Sequence, residues 1–114
     1  MNILILEDNA ERIKWFVEKL SSHSTKFVTT ADDAIAWIRK KKFDLIFLDH
    51  DLDGKTYQES GPGTGFEVAQ AIPETENKVT KVIIHSWNTV GAAEMKKLLP
   101  EGTVAPFGTF SIDI

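Results

Sequence analysis

The run Asp44-Leu45-Ile46-Phe47-Leu48 constrains the fold more than any other stretch of the chain. It has strand length and is apolar on successive residues. Both of its faces must therefore be covered, which is the pattern of a parallel sheet. It breaks into Asp49-His50-Asp51-Leu52-Asp53, a dense set of carboxylates with one imidazole. Open parallel sheets bind ligands just beyond the carboxyl ends of their strands. The chain thus sets its most acidic segment where such a fold does chemistry.

The rest of the chain supplies the partners that such a strand needs. Asn2–Leu6 is a first apolar strand ending in Glu7-Asp8-Asn9. Asp8 or Asn9 caps a helix whose apolar residues Ile13, Phe16, Val17 and Leu20 fall at helical spacing. After a polar loop, Lys26–Thr30 reads as a second strand. Thr30, three residues before Asp33, marks a helix start, and Arg39-Lys40-Lys41-Lys42 closes that helix. Lys40 to Lys42 complement the helix C-terminus rather than bind phosphate.

A long loop rich in Gly, Ser, Thr and Pro runs from Asp53 to about Thr64. Its Gly61-Pro62-Gly63-Thr64-Gly65 lacks the Lys-Ser/Thr ending of a phosphate-binding loop. Gly65–Ile72 is a short helix stopped by Pro73, and Lys78–Ile84 is a fourth strand ending in His85-Ser86-Trp87-Asn88. Asn88 or Thr89 caps a helix through Leu99, and Thr103–Ala105 forms a fifth strand. Thr109–Ile114 is an extra strand or a loose end. This alternation implies βαβ units with right-handed crossovers, in one domain spanning residues 1–114.

With 42% hydrophobic residues, the 114-residue chain can bury a core without staples. It has no cysteine, which excludes disulfides and thiolate metal sites. The net charge of −4 argues against a surface for duplex DNA, though not against a single nucleotide or a strand end. No apolar run is long enough for a membrane span and no signal peptide is visible, so the expected location is cytoplasmic.

In a sheet of order 2-1-3-4-5, the ends of the first, third and fourth strands are neighbours. Glu7, Asp8 and Asp49 then converge, and such carboxylates repel unless a cation lies between them. Hard oxygen ligands with open water positions suit Mg²⁺ or Mn²⁺. The backbone carbonyl of Asp51 adds a further ligand. Ser86 and Asn88 can donate hydrogen bonds to a phosphate, and His50 or His85 can act as acid or base. Blander roles compete at each position. Glu7 and Asp8 also suit a helix N-terminus. Asp51 and Asp53 beside Gly54 suit a turn. Only one of His85 and Ser86 need face the pocket, Asn88 is equally a cap, and Trp87 either stacks on a base or packs on the rim. His23 is a solvated loop residue, and Trp15 and Trp37 are packing residues.

The layout resembles the receiver domain of response regulators. The resemblance rests on Glu7-Asp8 after the first strand, Asp49 in Leu45-Ile46-Phe47-Leu48-Asp49, and Ser86 after the fourth strand. It implies an α/β, flavodoxin-like three-layer sandwich with a five-stranded parallel sheet of order 2-1-3-4-5. It also implies that Asp49 is the phosphoacceptor, able to form an aspartyl-phosphate. Receivers carry a Lys before a Pro after the fifth strand, where this chain has Ala105-Pro106. They also end in a fifth amphipathic helix, for which this chain stops too soon.

These departures resemble a subgroup, the cyclic-phosphate-processing receiver-like domains. It is matched here by Asp49-His50-Asp51-Leu52 and His85-Ser86-Trp87-Asn88. That resemblance implies a metal-dependent phosphoesterase acting on a phosphate-containing small molecule or an RNA end. Asp49, His50, His85 and Ser86 would be catalytic. Glu7, Asp8, Asp49 and Asp51 would hold the metal, and Ser86, Trp87 and Asn88 the substrate. One alternative is a stand-alone receiver that takes phosphate from a histidine kinase. Another is a non-catalytic nucleotide- or protein-binding domain. Asp49-His50-Asp51 also resembles the Asp-x-Asp motif of haloacid-dehalogenase-like phosphatases, but no acidic motif follows the fifth strand and Lys96 and Lys97 fall within a helix.

Overall fold

A computed structural model of the chain describes residues 1–109. Five parallel strands form one sheet in the order β2-β1-β3-β4-β5. They are β1 (Asn2–Leu6), β2 (Ser24–Val28), β3 (Leu45–Leu48), β4 (Lys81–Ile84) and β5 (Thr103–Val104). The helices are α1 (Ala10–Lys19), α2 (Ala31–Lys40), α3 (Gly65–Ala71) and α4 (Thr89–Leu98). The fold class, the strand order and the layering match the expectation from the sequence. The expected extra strand at Thr109–Ile114 lies outside the described residues from position 110 onward.

Successive side chains of a strand point to opposite faces, so β1 and β3 each feed two cores. Leu4, Leu6, Ile46 and Leu48 pack with α2, α3 and α4 through Ala34, Ile38, Val68, Ala69 and Met95. Ile3, Ile5, Leu45 and Phe47 pack on the other face against Phe16 and Leu20, beside α1. This double burial is why β3 shows no alternation. Val17 belongs to neither core and is half exposed, because it falls on the outer side of α1. Trp15 packs edge-on against Phe16 and Phe107, with centroids 5.2 and 5.0 Å apart.

Caps and boundaries follow local chemistry. The side chains of Asn9 and Thr30 accept from the N–H groups of Arg12 and Asp33 and start α1 and α2. β2 begins earlier than expected, at Ser24, because it pairs in register with β1 from Asn2. β4 begins later, at Lys81. The segment before it, Glu76–Val79, is a 3₁₀ turn capped by Thr75 rather than a strand. Within that turn, Asn77 is fully buried. Its amide accepts from Phe43 N–H at 2.8 Å and donates to the carbonyls of Ile38 and Lys41 at 2.9 and 2.8 Å. These bonds satisfy carbonyls left open at the end of α2. Among the described residues, no helix is long and apolar enough to cross a membrane.

Candidate functional site

The register of β1 against β3 sets Leu6 beside Leu48, and that of β3 against β4 sets Leu48 beside Ile84. The next residues along each strand are therefore Glu7, Asp49 and His85. Each offers one donor atom, and these atoms all lie within 4.8 Å of one another. Glu7 and Asp49 line an open hollow of about 410 Å³, and His85 is buried behind them. The walls of the hollow include Asp8, Arg12, Asp51, Ser86, Trp87 and Asn88.

Two buried carboxylates this close cannot both ionise cheaply without a cation. Glu7 keeps its charge. Burial pushes its carboxyl up, but the hydrogen bond from His85 Nε2, at 3.0 Å to Oε1, works against that. So do the N–H of Asn9 and the charge of Arg12, and together they hold Glu7 below its usual range. Burial pushes His85 down, so the imidazole is neutral with its proton on Nε2. Among the described residues, its buried Nδ1 has no hydrogen-bond partner. Asp49 takes the opposite course to Glu7. Burial first, and the Glu7 charge second, push it up to about 8, although its Oδ1 accepts the His50 N–H at 2.8 Å.

The structure brings only some of the expected residues into this hollow. Asp8 lines it, with one carboxylate oxygen accepting Gly54 N–H at 2.8 Å. Ser86 lines it, with Oγ accepting Asn88 N–H at 3.0 Å. Asp51 is engaged elsewhere. Its carboxylate accepts from Tyr57 and Gln58 N–H at 2.6 and 3.1 Å, from the Asn88 amide at 3.0 Å and from His50 Nδ1 at 2.8 Å. Burial pushes its carboxyl up, but these hydrogen bonds outweigh it and lower it from its usual value. The Asp51 carboxylate anchors the long loop rather than offering free oxygens to a metal.

His50 does not line the hollow, in contrast to the acid–base role expected of it. The ring is fully buried and faces α4, where its Nε2 meets Ser60 Oγ at 2.9 Å. Ser60 donates in turn to Glu94 at 2.9 Å. A Cβ on Gly91 would stand 2.5 Å from the His50 ring, so only glycine lets α4 approach it. Asn88 serves as the cap of α4, accepting Gly91 N–H at 3.0 Å, while its amide N–H groups hold Asp51 and the Gln58 carbonyl. No free donor remains on it for a phosphate. Asp53 sits in a left-handed turn with Gly54, at φ 61° and 70°, which is the turn role.

Arg12 escaped the sequence reading. Its guanidinium lies 3.6 Å from Glu7 Oε1 and 4.0 Å from Asp49 Oδ2. It also stacks 4.8 Å from the Trp87 ring centroid and 5.1 Å from that of Phe107. The signal that marks it is a lone arginine in the first turn of a helix, where the dipole disfavours a cation.

Residues 2–101 match the cyclic-phosphate processing receiver domain. The chain belongs to that family. Solved receivers share the fold. The CheY-like response regulator receiver domain from Methylobacillus flagellatus superposes with TM-score 0.72 at 19% identity, covering 100% of this chain and 89% of that one. The phosphorylated cyanobacterial phytochrome response regulator RcpA gives 0.73 at 24% identity, over 91% of this chain and 79% of that one. The receiver domain of a sensor histidine kinase from Pseudomonas aeruginosa, with a magnesium ion coordinated in its active site cleft, gives 0.70 at 19% identity. The match covers 96% of this chain and 86% of that one. No curated protein matches the chain.

Proposed function

We propose that this receiver-family domain binds and processes a phosphoester, the cyclic phosphate of a nucleotide or of an RNA end, with the help of a divalent cation. The observation that carries the reading is the Glu7–Asp49 pair at the floor of an open, polar hollow. Burial and the nearby Glu7 charge drive Asp49 up to about 8, with the Arg12 charge only partly opposing them, and a cation between the two carboxylates relieves that repulsion. The donor set fits Mg²⁺ or Mn²⁺: hard carboxylate oxygens from Glu7 and Asp49, with Asp8 on the same wall and room for water. The magnesium ion in the cleft of the Pseudomonas receiver supports the same assignment. Such a cation, when bound, neutralises charge on phosphoryl oxygens.

The chain's own groups divide the remaining work. Asp49 Oδ2 faces the hollow as a nucleophile or proton carrier, while Oδ1 is fixed by the His50 N–H. Ser86 donates its hydroxyl to a phosphate oxygen. His85 sits behind Glu7 and holds that carboxylate in place rather than touching substrate. His50, Asp51 and Asn88 fix the loop that forms one wall.

The test is a panel of 2′,3′- and 3′,5′-cyclic nucleotides and cyclic-phosphate RNA ends, with Mg²⁺ or Mn²⁺, followed by ³¹P NMR. Turnover in the native protein that disappears in Asp49→Asn is expected. No turnover on any substrate, with stable labelling of Asp49 by a small phosphodonor, would instead identify a phosphoaccepting receiver served by a histidine kinase. Binding without turnover or labelling would identify a non-catalytic domain.

A further inference from the structure

The segment after β5 is Ala105-Pro106-Phe107 and carries no cation. A phosphate entering the hollow carries more negative charge than a cation on Glu7 and Asp49 would offset. The site therefore needs a second positive group on its open side. We propose that Arg12 is that group, a phosphate-binding residue held in place by Trp87 and Phe107. The inference rests on the phosphoester reading above and assigns the residue that receives the ligand's charge.

Several independent features place Arg12 in this role. Its guanidinium stands beside Asp49 Oδ2, the oxygen that faces the hollow, and it lines the same cavity. Its contacts with Glu7 and Asp49, at 3.6 and 4.0 Å, are longer than hydrogen bonds, so its donors are not committed to them. A planar guanidinium with a fork of donors suits a phosphate better than a lysine ammonium does. Its position in the first turn of α1 opposes the helix dipole.

Its orientation is built in. Trp87 Nε1 donates to the Phe107 carbonyl at 2.8 Å, and Phe107 N–H donates to the His85 carbonyl at 2.9 Å. The two rings are thus tied to the end of β4 and to each other. Held over both rings by cation–π contact, the guanidinium makes no hydrogen bond to either of them. Trp87 is 59% exposed and packs on the rim of the hollow. Here it is the positioning residue for Arg12. The ligand class that follows is a phosphate mono- or diester whose anionic oxygens reach Arg12 and the acidic floor together.

Isothermal titration with inorganic phosphate and with 2′,3′-cyclic AMP, in Mg²⁺, tests this on the full chain. Arg12→Gln should weaken both by about tenfold or more, the loss expected for a charge-assisted hydrogen bond. Arg12→Lys should recover part of the affinity, since charge returns without the fork. Trp87→Ala should weaken binding while Trp87→Phe restores it, a rescue that a purely structural tryptophan would not give. Lys14→Gln, on the same helix but outside the hollow, should bind as the native protein does. If the native protein binds and Arg12→Gln and Arg12→Lys both bind equally well, the assignment of Arg12 fails while the phosphoester reading stands. If the native protein binds neither probe, both fail. Thermal melting of each variant identifies any that does not fold, and Arg12→Lys and Trp87→Phe, the mildest changes, then decide.

Discussion

Asp49→Asn should stabilise the cation-free protein, and by more as the pH rises. The structure raises the Asp49 carboxyl from its ordinary 3.8 to about 8, through burial and the Glu7 charge. Between those limits the native protein holds a proton that the unfolded chain has released. Stability therefore falls with rising pH across that window, at up to about 1.4 kcal/mol per pH unit. Full expression of the shift would give a ceiling of roughly 6 kcal/mol, and water in the open hollow reduces this to about 2–4 kcal/mol. Asparagine keeps an oxygen for the His50 N–H and removes the charge. His85, whose value is lowered, adds stability as pH rises toward its ordinary 6.5. It is present in both proteins, so it drops out of the comparison. Urea unfolding of both proteins in a chelator at pH 5, 6.5 and 8 reads the effect. The gap in favour of Asp49→Asn should widen by roughly 1–2 kcal/mol from pH 5 to pH 8, the remainder being already present at pH 5. Parallel curves, or a variant less stable than native at pH 8, would refute the reasoning. Saturating Mg²⁺ should flatten the native curve, because a cation then favours the ionised carboxylate.

Other consequences are local. Gly65→Ala should be severely destabilising, by about 3 kcal/mol or more, since its Cβ would lie 1.8 Å from the Asp49 carbonyl oxygen, within backbone; chemical denaturation measures it. Asn77→Ala should cost about 2–4 kcal/mol, because it leaves Phe43 N–H and the Ile38 and Lys41 carbonyls buried without partners. A melting temperature unchanged from native would contradict that. Asp51→Asn should free the long loop, seen as faster tryptic cleavage at exposed Lys55, while sites in α1 stay protected. The same anchor is present above the ordinary carboxylate range and weakens as pH falls through the lowered Asp51 value. Mobility of the loop should therefore increase only in acid.

Strands and helices were legible because each is repeated in a simple pattern. Leu45–Leu48, buried on both faces, announces a central parallel strand, and Thr30 and Asn9 announce helix starts. Lys78–Val79 reads as strand by composition alone. Its 3₁₀ turn is dictated by Thr75 and by Asn77 turning inward to α2, a tertiary bond that no local pattern encodes. At the site, Glu7, Asp49 and Ser86 follow from strand ends and strand order. Side-chain direction does not. His50 and Asp49 are adjacent, yet one faces α4 and the other the hollow, because Gly91 opens a slot for the imidazole. Asp51 carries the chemistry of a metal ligand and spends it on Tyr57, Gln58, Asn88 and His50. Arg12 was hidden because its partners, Trp87 and Phe107, are remote in sequence and meet it only across the fold.

Whether Glu7 and Asp49 jointly hold a divalent cation is measured most directly by electron paramagnetic resonance of Mn²⁺ titrated into the native protein and into Asp49→Asn. The native protein should take up a single ion per chain, released by excess Mg²⁺, and the variant should leave Mn²⁺ free in solution. Mn²⁺ that stays free in the presence of the native protein, or that binds Asp49→Asn equally well, would contradict the assignment of this pocket.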